Sequence, residues 1–228
     1  MVVLSYTIIP VLAVAVGSAA AAAWRPGPRL VSAMQHLAAG VVFAAAATEI
    51  LPQVKHGSDP LPTLAGGVAG VVVMLGLKSF ESRFRGPAAL LTAIGIDILI
   101  DGVVLGLAFI AGAKAGLLLT VALTLEVVFL GMTLTSELVE KAASRARGVL
   151  TVTLLSMLLP VGALIAGPVA TLSPVLIASF LSFGLMALLY LVTEELLSEA
   201  HEQPDTPWVS AMFFVGFLAL LALEEVMQ

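Results

Sequence analysis

Residues 96–106 read IDILIDGVVLG, and within them Asp97 and Asp101 interrupt a stretch that is otherwise aliphatic or glycine. Two carboxylates in such a run need a reason, and the reason depends on the solvent around the segment. The chain is 60% hydrophobic and only 11% charged, with a mean hydropathy of +1.12. A soluble domain is about half apolar and about a quarter charged. So much apolar surface cannot be buried in one water-soluble core, which predicts an integral membrane protein built from helices or a closed barrel. Barrel strands alternate apolar and polar residues; these segments do not, which leaves helices.

A span needs roughly 20 apolar residues, and eight segments qualify, at about 2–24, 30–52, 61–80, 88–110, 116–139, 149–167, 175–198 and 209–226. RPGPR (25–29), GSDPLP (57–62), RGP (85–87), AGAKAG (111–116), ASRARG (143–148), the turn from Pro168 to Pro174 and EQPDTP (202–207) read as short loops. The whole chain, 1–228, is thus expected to be one transmembrane domain. Its first segment lacks a basic stretch before it and reads as a span, not a cleaved signal peptide. There is no cysteine, which excludes disulfides and thiolate metal or redox sites. A net charge of -5 without a basic run gives no sign of nucleic acid.

Lys and Arg set the expected orientation. Arg25, Arg29, Lys78, Arg83, Arg85, Lys141, Arg145 and Arg147 lie at loops 1, 3, 5 and 7, against Lys55 and Lys114 on the other side. That places the odd-numbered loops in the cytoplasm and both termini outside, in a multi-pass protein of the cell (inner) membrane. Trp24 and Trp208 fall at cytoplasmic span ends, as interfacial aromatics do. Loop 7 is acidic, with Glu199, Glu202 and Asp205 following Glu194 and Glu195, but acids weigh little in topology.

In that setting Asp97 and Asp101 lie near the middle of span 4, where a charge costs about 2.5–3.5 kcal/mol on insertion scales. Their i, i+4 spacing puts both on one helix face, and Gly102 beside them permits close backbone approach. Glu126, in LTLEVVFLGMTL of span 5, is a third buried acid. With 1.5 Å of rise per residue, the three carboxylates fall within roughly 6 Å of one level. Thr133, Glu137 and Glu140 continue the Glu126 face toward the cytoplasm. Pairing with buried bases would explain the acids structurally, but spans 4 and 5 offer none at that depth, and His36 and Lys78 belong to the cytoplasmic parts of spans 2 and 3. A protonated, hydrogen-bonded carboxyl pair is an alternative; a bound cation is the simpler account.

These residues carry a family resemblance. The chain resembles a ZIP-type (Zrt/Irt-like) divalent metal transporter, as a divergent prokaryotic-type member with altered motifs. The resemblance spans nearly all of it: eight spans, outside termini and acids on spans 4 and 5. Asp97, Ile98, Asp101 and Gly102 are similar to the family's His-Asn-x-x-(Asp/Glu)-Gly, and Glu126, Val127, Leu130 and Gly131 to His-(Asn/Asp/Glu)-x-x-(Glu/His)-Gly. The segment HLAAGVVFAAAATEILPQ of span 2 and the Glu194-Glu195 pair of span 7 are similar to further family segments. Both motif histidines are acids here, Ile98, Val127 and Leu130 replace ligands, and Leu159-Pro160 stands where some members carry glutamate-proline. The resemblance therefore implies a single site of Asp97, Asp101 and Glu126 in place of the family's two-metal centre.

Oxygen-only ligation suits Mg²⁺, Mn²⁺, Ca²⁺ or Fe²⁺ and weakens a preference for Zn²⁺ without abolishing it. Glu49 is a candidate for capturing cations at the entrance, and Glu194, Glu195, Glu199 and His201 for receiving them at the cytoplasmic exit, each set against the alternative of a solvated acidic surface. His36 reads as a packed or interfacial histidine and the methionines as packing. The expected function is transport of divalent cations (the Zn/Mn/Fe/Mg class) toward the cytoplasm by alternating access. The ion is then a substrate, with no resident cofactor and no enzymatic reaction. Partners are the cation and the lipid bilayer, with monomer and homodimer both open. The alternative is a non-transporting ZIP-like protein that binds metal and regulates. A proton-driven solute carrier stays open. An intramembrane aspartyl protease needs a Gly-x-Gly-Asp motif and acids on two helices; residues 95–97 read Gly-Ile-Asp, and Asp97 and Asp101 share one helix.

Overall fold

A computed structural model of the chain describes residues 2–24, 26–56, 60–83, 86–140, 144–202 and 206–227; Arg25, Arg85, Lys141 and Asp205 of the charge pattern lie outside the described residues, as do 57–59 of the GSDPLP turn. Among the described residues the chain is helical almost throughout, without strands. Eight helices are long and apolar enough to cross a membrane: α1 (Val3–Ala23), α2 (Pro28–Lys55), α3 (Pro60–Phe80), α4 (Ala88–Ala111), α5 (Ala113–Glu140), α6 (Arg145–Thr171), α7 (Pro174–Ala200) and α8 (Pro207–Val226). The protein is an all-α membrane protein of eight spans.

Most boundaries move by a few residues, each for a local reason. The helix of α6 starts early because Ser144 caps it, its hydroxyl accepting from the Arg147 N–H at 3.3 Å. The expected loop AGAKAG shrinks to Gly112, since Ala113 begins α5 at once and carries Lys114 into its first turn. Inside α6, Met157 forms a turn between two helical pieces. Pro160 lacks the N–H that would bond back to Ser156, which breaks the ladder there.

Two spans contain a π-helical segment, Ala46–Ile50 in α2 and Leu191–Leu196 in α7. Pro52 follows the first and cannot donate to the Thr48 carbonyl, a recognised cause of such bulges. In the second, the Thr193 hydroxyl bonds back to the Leu189 carbonyl at 2.9 Å. Both segments carry a Thr-Glu pair: Thr48-Glu49 and Thr193-Glu194.

The helices pack most closely in four pairs, α1 with α5, α2 with α8, α3 with α7 and α4 with α6. The pairs assemble into two groups, α1/α4/α5/α6 and α2/α3/α7/α8, which meet along α2–α5 and α4–α7. With no hydrophobic drive between helices in lipid, small residues set these approaches. A methyl added to Gly102 would lie 2.1 Å from the Leu159 carbonyl oxygen, and one on Gly162 2.0 Å from that of Leu99. Gly40 and Gly216 do the same for α2 and α8, at 1.9 Å from the Phe213 oxygen and 2.2 Å from the Leu37 oxygen. Backbone cannot yield as a side chain can. Gly102→Ala is therefore expected to cost roughly 1–3 kcal/mol of stability, read as a lower melting temperature in detergent; an unchanged melt would show that α4 and α6 are not held in contact here.

Candidate functional site

The buried acids sit on α4 and α5, at the centre of the first group. Asp97 is 9% exposed, Asp101 2% and Glu126 2%. One oxygen of Asp101, Oδ2, and one of Glu126, Oε2, are buried without a hydrogen-bond partner among the described residues. Neither side chain forms an ion pair with a described base. Asp101 interacts electrostatically with Glu126, and Glu126 with Asp97. Glu195, from the π-helical segment of α7, acts on both Asp101 and Glu126. The acids thus form one field across α4, α5 and α7. Among the described residues, however, no three of His, Asp and Glu gather tightly enough to hold one ion.

A cavity of about 700 Å³ runs from the end that holds loops 1, 3, 5 and 7 up to Asp97. Seven acids line it: Asp97, Glu137 and Glu140 from the first group, Glu194, Glu195 and Glu199 from α7, and Glu202 just beyond it. Among its described lining residues Lys78 is the one base. Thr133 and Ser136 complete the α5 wall, so the polar face read from Thr133, Glu137 and Glu140 lies along this cavity. Asp101 and Glu126 lie beyond the lining residues, deeper in the protein.

The other candidate residues fall at the two ends. Glu194 pairs with Lys78 of α3 at 2.7 Å, both about half exposed. Glu199 accepts from Gln35 Nε2 at 2.8 Å. The His201 ring meets that of His36, with centroids 5.1 Å apart. At the opposite end, Glu49 is buried in the π-helical segment of α2 and is not a solvated interfacial acid. Lys114 Nζ lies 3.7 Å from its Oε1 and 3.1 Å from Glu224 Oε1. This triad joins α5 of one group to α2 and α8 of the other. Sequence reading did not find Lys114, Glu224, Gln35 or His36 as functional partners. The available signal was an acid pair, Glu224-Glu225, at the end of an apolar helix facing a lone lysine.

No family model matches the chain, and no curated protein matches it significantly.

Proposed function

We propose that this protein carries divalent metal cations across the membrane toward the end that holds the odd-numbered loops, which the excess of Lys and Arg there marks as cytoplasmic. The observation that supports this most is the pair Asp101 and Glu126, buried on adjoining helices without a basic partner among the described residues and lying beyond an acid-lined cavity. Intramembrane acids of this kind mark ion pathways. In this reading the ion binds among Asp97, Asp101 and Glu126, with Glu195, backbone carbonyls or water completing its shell. It leaves through the cavity past Glu194, Glu195 and Glu199, while the Lys114 triad closes the other end. Oxygen ligands favour Mg²⁺, Mn²⁺, Ca²⁺ or Fe²⁺.

A second reading, a metal-binding protein that does not transport, is favoured by one observation: among the described residues the acids do not gather around a single point. Uptake into proteoliposomes, measured for Zn²⁺, Mn²⁺, Fe²⁺, Mg²⁺, Cd²⁺ and Ca²⁺, separates the two. Uptake of at least one ion supports the carrier; binding without uptake of any ion favours the second reading.

A carboxylate must lose its proton to ligate a metal. Uptake is therefore expected to fall as the pH drops and to recover on return to neutral pH. A flat profile between about pH 5 and 8 would count against a carboxylate site that competes with protons.

A further inference from the structure

A groove of about 500 Å³ lies between α1 and α6 at the odd-loop end. Ala19, Ala22 and Ala23 of α1 form one wall, Val149 and Leu150 of α6 the other, and Arg145 stands where α6 begins. The two helices are in contact, and the alanines leave open the space that larger side chains would fill. Arg145, Val149 and Thr153 recur at i, i+4 and i+8, so one face of α6 lines the groove throughout. The eight residues from Arg145 to Thr153 rise about 12 Å, against about 15 Å for the hydrocarbon of one leaflet. Leu150 and Leu154 are exposed, so the groove opens on lipid.

The charge around this groove has one sign. Residues 1–48 and 141–193, which include the whole of α1 and α6, contain no Asp or Glu. Their Lys and Arg residues are Arg25, Arg29, Lys141, Arg145 and Arg147, all in or beside loops 1 and 5. In a chain of net charge -5 this is a local reversal. Glu140, the nearest acid along the sequence, lines the acidic cavity. Arg145 and Arg147 are exposed, and neither forms an ion pair with a described residue. A guanidinium meets phosphate with two parallel N–H donors, and the start of α6 adds the positive end of the helix dipole. A zwitterionic headgroup also carries an ammonium, which finds no carboxylate on either wall. A phosphatidylglycerol-type headgroup has none to place.

We propose that the groove between α1 and α6 binds one anionic phospholipid from the leaflet at the odd-loop end, with an acyl chain along the alanines of α1 and the phosphate on Arg145. Basic pockets between membrane helices on the side of the Lys and Arg excess suit such lipids. A second copy of the chain is a poorer occupant: docked groove to groove, it would set Arg145 against its own counterpart. The lipid site does not rest on the proposed transport.

The test is native mass spectrometry of the full-length protein in detergent, incubated with an equimolar mixture of phosphatidylglycerol and phosphatidylcholine that have the same acyl chains. Wild type, Arg145→Gln, Arg83→Gln and Ala19→Phe are compared. Wild type is expected to retain one phosphatidylglycerol per chain, with a preference over phosphatidylcholine of about tenfold. Arg145→Gln lowers that preference at least about threefold. Arg83→Gln, which removes the same charge at the same end but on α3, leaves it unchanged. Ala19→Phe fills the groove and loses the retained lipid. Arg145 and Ala19 are both exposed, so these variants keep the fold. Equal retention of the two lipids by wild type overturns the site. So does a preference that survives Arg145→Gln, that falls equally in Arg83→Gln, or that persists in Ala19→Phe.

Discussion

Asp101→Asn and Glu126→Gln are each expected to abolish metal uptake while making the protein more stable. The amide keeps the shape of the acid and removes its charge. In this fold each of the two side chains has a buried oxygen without a hydrogen-bond partner among the described residues, and Asp101, Glu126 and Glu195 act on one another. Removing one charge relieves that repulsion and part of the desolvation, a gain of roughly 1–3 kcal/mol. It also removes a ligand, which should lower uptake by at least ~100-fold. Such opposed changes are characteristic of groups held for function at a cost in stability. Proteoliposome uptake and melting temperature in detergent, on the same preparations, check both halves. Normal uptake with a lower melting temperature would show that the two acids serve the fold and are not transport ligands.

Lys114→Met is expected to open the end of the bundle where the termini lie. Lys114 is the cation between Glu49 and Glu224. Without it, two acids on α2 and α8 face α5 with no opposite charge paired to them among the described residues, and breaking such a pair from one side leaves the remaining charges uncompensated. The absence of native cysteine makes this measurable. Thr48→Cys, beside Glu49 in the π-helical segment, should react with an impermeant maleimide added from the termini side at least tenfold faster in the Lys114→Met background. Lys114→Arg should keep the slow rate, and adding Glu49→Gln and Glu224→Gln to Lys114→Met should restore it. Equal rates with and without Lys114 would remove the triad from any role in closing that end.

The eight spans were legible because a bilayer demands long apolar runs, and length alone separates them. That Glu126 would act on Asp97 and Asp101 was legible too, since helical rise converts residue counts into depth and the structure has these acids influencing one another. Partners brought together by packing were not. Glu195 reaches the field of Asp101 and Glu126 from a π-helical segment that no local pattern announces. Lys114 sits in an Ala/Gly/Lys stretch that reads equally as turn or helix. His36 and His201 lie at opposite ends of the sequence, and their contact follows from how α2 and α7 pack. Glu49 was found as a residue, but the sequence left its surroundings open between an entrance acid and a solvated one, because burial at a helix end depends on neighbours that only the tertiary structure supplies.

The reciprocal glycines of α4/α6 and α2/α8 have a mechanical consequence. Where backbone rests directly on backbone, a pair of helices behaves as a single stiff beam: sliding one past the other drives a carbonyl into a chain that has no side chain to fold away. The seam between the two groups has a softer grain. There a methyl added to Gly184 of α7 would first meet side-chain atoms of Val104, at 3.3 Å, and Leu107, at 3.5 Å, and side chains can change rotamer as they pass. Shear is thus steered to the α2–α5 and α4–α7 boundary. The Lys114 triad spans that boundary as a bolt at one end, and Glu195 faces the α4 and α5 acids across it, so each half of the molecule can move as a block without its own joints being reworked.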